Sequence, residues 1–289
     1  MKVIIFGASG QVGQALYGPL YGFVEDQSGI LYMPSRKQLD LRDLAEIPKY
    51  IRAVNPDLII NAAAYTAVDS AEEDSDTAHL LNFSAATAIA SGAAKIDAYL
   101  VHYSTDYVFD GSKGFPYTEK DHANPINVYG KTKLLGDTFI LTHTLHGVIL
   151  RTSWVYSLTG SNFYLTMRDI YRAGKVPMVV DDQVGCPTSA YTIADVTMKI
   201  VKKDYPGRPI RVVNLSCGGQ TSWWGFTAEL ARLLGCKPPL SCTTDYYLTT
   251  AKRPRYTVLD GSVLSVGGIP VPHWKTSLED VVRKDTGLR

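Results

Sequence analysis

The chain has 289 residues, 45% of them apolar, and its charges nearly cancel at +1. That length buries a large core as one domain or two unequal ones, and the balanced charge argues against a nucleic-acid surface or a disordered tail. No apolar run reaches membrane-spanning length, and no leader-like segment precedes the strand-like "KVIIFG" at Lys2. Cys186, Cys217, Cys236 and Cys242 show no CxxC spacing. They point to a reducing cytoplasm rather than a disulfide or zinc framework, although Cys236 and Cys242 are near neighbours.

In chain order, short apolar runs alternate with segments of helical period. "KVIIF" predicts a buried strand, followed by a helix from about Gln11. "GILYM" predicts strand two, and "LAEIPKYIRAV" a helix with Pro48 in its first turn. "DLIINAA" is strand three, and "HLLNFSAATAIASGAAK" a helix. "AYLVHYS" is strand four, "YGKTKLLGDTFILTHTL" a helix, and "GVILRTSW" strand five. Runs that are apolar throughout belong to strands buried on both faces, as in a parallel sheet. The alternation predicts a doubly wound α/β (Rossmann) fold over residues 1–156, with strands from about 176–214 available to the same core.

Beyond residue 156 the rhythm loosens. "GKVPMVVDDQVGCPTSA" is turn-rich, "IADVTMKIVKK" and "FTAELARLLG" are helical, and 238–289 holds many prolines and few long periodic segments. Residues 157–289 are therefore expected to form a smaller C-terminal α/β region that binds substrate. No repeat or low-complexity tract interrupts the chain.

"GASGQVG" follows strand one with the spacing GxxGxxG, a variant of the dinucleotide fingerprint. Gly7 permits the tight turn. Gly10 lets a pyrophosphate approach amides at a helix N-terminus, and Gly13 lets helix and strand pack closely. After strand two no acid occurs before Asp40. Ser35, Arg36 and Lys37 there offer a hydroxyl and cations suited to a 2′-phosphate, which favours NADPH over NADH. Asp40 and Leu41 are better placed for the adenine.

"YGKTK" puts Tyr129 and Lys133 at i and i+4, on one helix face. An ammonium beside a phenol stabilises the phenolate and lowers its pKa, and lysine also reaches a ribose. Such a pair suits proton transfer coupled to hydride transfer. Thr105 ends strand four at the sheet's carboxyl edge, where ligands bind. Its hydroxyl is placed to stabilise charge developing on a carbonyl oxygen. Trp154, just past strand five, provides an apolar wall there.

These stretches resemble the extended short-chain dehydrogenase/reductases, and within them the dTDP-4-dehydrorhamnose reductases. "GASGQVG", "LDLRD", "NAAAYTAVDSAEE", "STDYVFDG", "NVYGKTKLLGD", "RTSWVY", "DDQVGCPTSA" and "KRPRYTVLD" occur in that family's order between residues 7 and 260. The resemblance implies Thr105, Tyr129 and Lys133 as catalytic residues. It places Gln11, Val12, Ala64, Tyr65 and Thr66 along the cofactor, with Thr105, Asp106 and Trp154 against the nucleotide-sugar. Arg253 or Arg255 would meet its diphosphate.

Related sugar 4,6-dehydratases carry a glutamate after Thr-Asp. Tyr107 stands there instead, which argues for a single carbonyl reduction. Some relatives dimerise through Mg²⁺ held by acids, one of them in the first helix. "QVGQALYGPL" has none, so no Mg²⁺ site carries over, and a monomer or homodimer is equally expected. Two rival readings are an epimerase or reductase of another keto-sugar, and a non-catalytic subunit like the regulatory subunit of eukaryotic methionine adenosyltransferase. The latter lacks the tryptophan of "RTSWVY", so Trp154 favours an enzyme.

Overall fold

Six parallel strands form the central sheet of this computed structural model, which describes residues 1–287. They are β1 (Lys2–Phe6), β2 (Ile30–Tyr32), β3 (Leu58–Asn61), β4 (Tyr99–Thr105), β5 (Gly147–Thr152) and β6 (Arg211–Asn214), in the spatial order β6-β5-β4-β3-β1-β2. The longer helices are α1 (Gln11–Glu25), α2 (Glu46–Val54), α3 (Ala85–Lys95), α4 (Val128–His143), α5 (Phe163–Arg172), α6 (Ala190–Asp204), α7 (Trp223–Leu234) and α8 (Trp274–Thr286).

The apolar runs are continuous because both faces of the sheet are covered. Val3, Ile5, Val101 and Leu150 meet α1 and α6, whereas Ile4, Phe6, Leu100 and Ile149 meet α2, α3 and α4. Strand side chains alternate between faces, so each covering layer claims every second residue. The order reverses between β1 and β3. In an open parallel sheet the crevice beyond such a reversal is where a ligand binds.

The chain leaves this sheet after β5 and returns to it. Helix α6 packs on α1, and β6 pairs with β5. Within 176–214 only β6 joins the central sheet. Met178–Val180 pairs instead with Leu240–Cys242 in a separate two-stranded sheet. A second core gathers Tyr156, Tyr164, Phe226, Leu230, Trp274 and Leu278 from α5, α7, α8 and the end of the β5 loop. Helix α8 runs 13 residues inside the stretch expected to lack long periodic segments. Its apolar stripe is short, and Lys, Glu, Asp and Arg fill the remaining positions.

Candidate active site

Three loops, at the carboxyl ends of β1, β2 and β3, line a crevice at the strand reversal. Gly7 has φ +77°, and a Cβ there would stand 2.5 Å from the Ala63 nitrogen. Only glycine fits so close to the β3 loop. A Cβ on Gly13 would overlap the Gly7 carbonyl, so both ends of the motif are fixed by close approach. Gly10 caps α1 without any side chain over the first-turn amides, and no acid lies in that turn. The bare, positively polarised helix end therefore faces the crevice as an anion site.

This crevice encloses about 770 Å³. Its walls include Gly7 and Gly10, Ser35 and Arg36, Asp40 and Leu41, and Ala62–Ala64. The Asp40 carboxylate is held by the Arg42 guanidinium at 2.5–3.0 Å, which keeps its pKa down at about 2. Gln11 turns its side chain away from the crevice. Its Oε1 accepts from Ser157 at 3.0 Å and Asn162 at 2.9 Å, tying the glycine loop to the C-terminal region.

The loop Ala64–Thr66 is positioned by Asn82, a residue the sequence did not single out. Asn82 is buried in a π-helical turn, Leu80–Ser84, that leads into α3. Its Oδ1 accepts from the Tyr65 N–H at 2.8 Å, and its Nδ2 donates to the Tyr65 carbonyl and to Thr132 at 3.1 Å. Such single-turn bulges redirect a side chain that a regular helix would aim elsewhere. The only signal was an asparagine inside an apolar helical run.

Tyr129 reaches the end of β4 because α4 starts close to it. Asn127 caps the helix by accepting from the Gly130 N–H at 2.8 Å, and Glu72 accepts from the Val128 N–H at 2.8 Å. A Cβ on Gly130 would overlap the Tyr107 carbonyl, so glycine lets the helix approach the β4 loop. Thr105 is buried there, and its hydroxyl donates to Asp106 at a long 3.2 Å. Burial raises the phenol pKa of Tyr129, and the nearby Thr105 side chain offsets part of that rise. This corrects the expectation that Lys133 pulls the phenol down. Desolvation of the phenolate dominates, and the Lys133 ammonium is spent elsewhere, donating to the Tyr103 carbonyl at 2.6 Å. Lys133 is 1% exposed, and burial lowers its pKa to about 8 against the pull of Asp137.

The substrate side is equally dry. Burial raises the Asp106 carboxyl to about 6, while Thr257, Ser153 and Thr105 hydrogen-bond it. Tyr107 is half-buried, and desolvation raises its phenol to about 12. Arg253 lies over the Tyr107 ring and is paired with Asp69 at 2.5 Å, whereas Arg255 is solvent-exposed. Trp154 holds a left-handed φ of +47°, costly for an aromatic residue. Its ring stacks on Trp223 of α7 at 3.5 Å and 4°.

The carboxyl edge thus brings Thr105, Asp106, Tyr129 and Lys133 together, with the glycine crevice on one side and Trp154 and Arg253 on the other. A sequence model of the family described as RmlD substrate binding domain matches residues 1–286. A dTDP-4-dehydrorhamnose reductase from Burkholderia thailandensis is 34% identical, with 98% of each chain covered.

The chain belongs to the dTDP-4-dehydrorhamnose reductase family.

Two solved members of the dTDP-4-dehydrorhamnose reductase family share its fold closely. The enzyme from Clostridium acetobutylicum superposes with a TM-score of 0.92 at 35% identity, covering 99% of this chain and 100% of that one. The enzyme from Bacillus anthracis, solved in complex with NADP, gives 0.90 at 30% identity, covering 98% and 99%. Among the described residues no helix is long and apolar enough to cross a membrane.

Proposed function

We propose that this chain reduces the C4 ketone of dTDP-4-dehydro-L-rhamnose to dTDP-L-rhamnose, using NADPH. The observation that carries this reading is Thr105, buried at the end of β4 with the half-buried Tyr129 close by, together with a crevice shaped for a dinucleotide. The crevice residues fit that cofactor. The bare N-terminus of α1 suits its pyrophosphate, and Ser35 and Arg36 suit a 2′-phosphate. Leu41 and Asp40 would border the adenine, and Ala64, Tyr65 and Thr66 would lie along the cofactor. Gln11, Val12 and Gly13 supply first-turn amides. NADPH is preferred, with NADH as a second donor; the NADP complex of the Bacillus anthracis enzyme supports this.

When bound, NADPH supplies the hydride that the C4 carbon accepts. Tyr129, kept protonated by burial, gives its proton to the C4 oxygen as that oxygen gains charge, so the ketone becomes an alcohol. Thr105 turns its long hydrogen bond from Asp106 toward the same oxygen and stabilises it. Lys133, whose ammonium donates to the Tyr103 carbonyl here, would turn to the ribose and to the phenolate left on Tyr129. Asp106 and Trp154 border the sugar. Arg253, released from Asp69, meets the diphosphate as a fork donor. Cofactor contacts come from 1–156, and the substrate lies between Thr105, Asp106 and Trp154 of that part and Arg253 of 157–289, the part read as mainly substrate-binding. The enzyme works in the cytoplasm as a monomer or homodimer.

The test supplies enzymatically generated dTDP-4-dehydro-L-rhamnose and follows nicotinamide absorbance, with the product sugar identified by NMR. Turnover to the L-rhamno product is expected, and Tyr129→Phe should lower kcat by about 10²–10⁴-fold. A product of different C4 configuration would transfer the reading to another keto-sugar reductase.

A further inference from the structure

Behind the catalytic lysine lies a chain of buried polar groups that the mechanism does not use. Asn61, His102 and Asp137 are each no more than 2% exposed. The Ala63 N–H donates to Asn61 Oδ1 at 3.2 Å, which leaves Asn61 Nδ2 to donate to His102 Nδ1 at 3.0 Å. A ring nitrogen that accepts carries no proton, so the His102 proton sits on Nε2. Nε2 stands 3.3 Å from Lys133 Nζ and 3.7 Å from Asp137 Oδ1. An ammonium cannot accept that N–H, whereas a carboxylate can. At 3.7 Å Asp137 Oδ1 makes no hydrogen bond to the ring, so its link to Lys133 is electrostatic: burial raises the Asp137 carboxyl, the Lys133 ammonium opposes that rise, and an ionised Asp137 favours a charged Lys133 beside a neutral His102.

We propose that Asp137, acting across His102, is a positioning residue that holds Lys133 in its protonated form, with Asn61 locking the tautomer this requires. The proposal rests on the reading of Tyr129 and Lys133 as the proton-transfer pair. The groups around Lys133 define the balance. Its own helix carries Tyr129 and Asp137, and β4 carries neutral His102. From β5, Arg151 approaches Asp137 at 3.9 Å and competes for the carboxylate, with Glu119 acting on Arg151 in turn. Ser104 donates to Asp137 at 2.5 Å. Asp106 and Tyr107 face Tyr129. Asp137 is thus the acid directed at the ammonium, in surroundings where water does not screen it.

The alkaline limb of kcat/KM for ketone reduction follows loss of the Lys133 proton, so activity falls as pH rises through about 8. Asp137→Asn keeps the shape and removes the charge. It should move that limb to lower pH by about one unit or more, with NADPH affinity retained. Ser104→Ala, which weakens the ionised carboxylate without touching Lys133, should move it the same way by less. Thermal unfolding and NADPH fluorescence establish that both variants are folded. If Lys133→Met is inactive but the limb stays in place in both variants, Asp137 has no such role and the catalytic pair stands. If Lys133→Met turns over like the wild type, the pair falls and takes this inference with it.

Discussion

Tyr129 and Arg36 show how differently two residues of one site depend on their surroundings. Tyr129 is half-buried, and desolvation raises its phenol, which suits the proposed role of a donor that keeps its proton until charge develops on the substrate oxygen. Its i+4 spacing to Lys133 was legible in the sequence, but the electrostatic outcome was not. Spacing says that two side chains share a helix face. It does not say that the ammonium will be drawn to the Tyr103 carbonyl behind it. Arg36, by contrast, is exposed at the crevice rim, so its effect is nearly independent of packing. Arg36→Ala should raise KM for NADPH about tenfold, equivalent to about 1.4 kcal/mol, and leave KM for NADH unchanged. Equal losses with both cofactors in steady-state kinetics would remove the 2′-phosphate from its role.

At the scale of elements, the glycine loop, β4 and α4 were readable because each carries a local requirement. Gly7 fits a left-handed turn against Ala63, Thr105 ends a strand, and Tyr129 and Lys133 share one face of a helix. The π-helical turn that places Asn82 was not readable, since its sequence differs little from that of an ordinary apolar helix. Yet Asn82 satisfies both backbone groups of Tyr65 in the cofactor loop. Asn82→Ala leaves that buried N–H without its acceptor, at a cost of about 1–3 kcal/mol. The variant should melt several degrees lower by calorimetry and show a severalfold higher KM for NADPH. An unchanged KM would mean that the loop holds its shape unaided.

Over the whole molecule, five of the six sheet strands were legible because covering helices on both faces make their apolar runs unbroken. Strand β6 was harder to place. It is a four-residue edge strand that begins with a half-buried arginine and joins the sheet only after the chain has built part of the second core. The apolar stripe of α8 is hidden among charges for a similar reason, since it packs one narrow face on that small core. The Trp154–Trp223 stack binds the two cores at the rim of the site. Its cost in backbone strain at Trp154 makes sense if the aromatic wall must stand at a fixed angle to the sugar. In the proposed reaction, cofactor crevice, proton donor and sugar wall would meet at one ketone carbon.

That convergence is tested most directly by tracing the transferred hydrogen. Purified protein would be given dTDP-4-dehydro-L-rhamnose and NADPH carrying deuterium in both C4 positions of the nicotinamide, and the product examined by NMR and mass spectrometry. The account predicts one deuteron, bound at C4 of L-rhamnose, formed in proportion to NADPH consumed. Product without deuterium, or with deuterium on another sugar carbon, would contradict it.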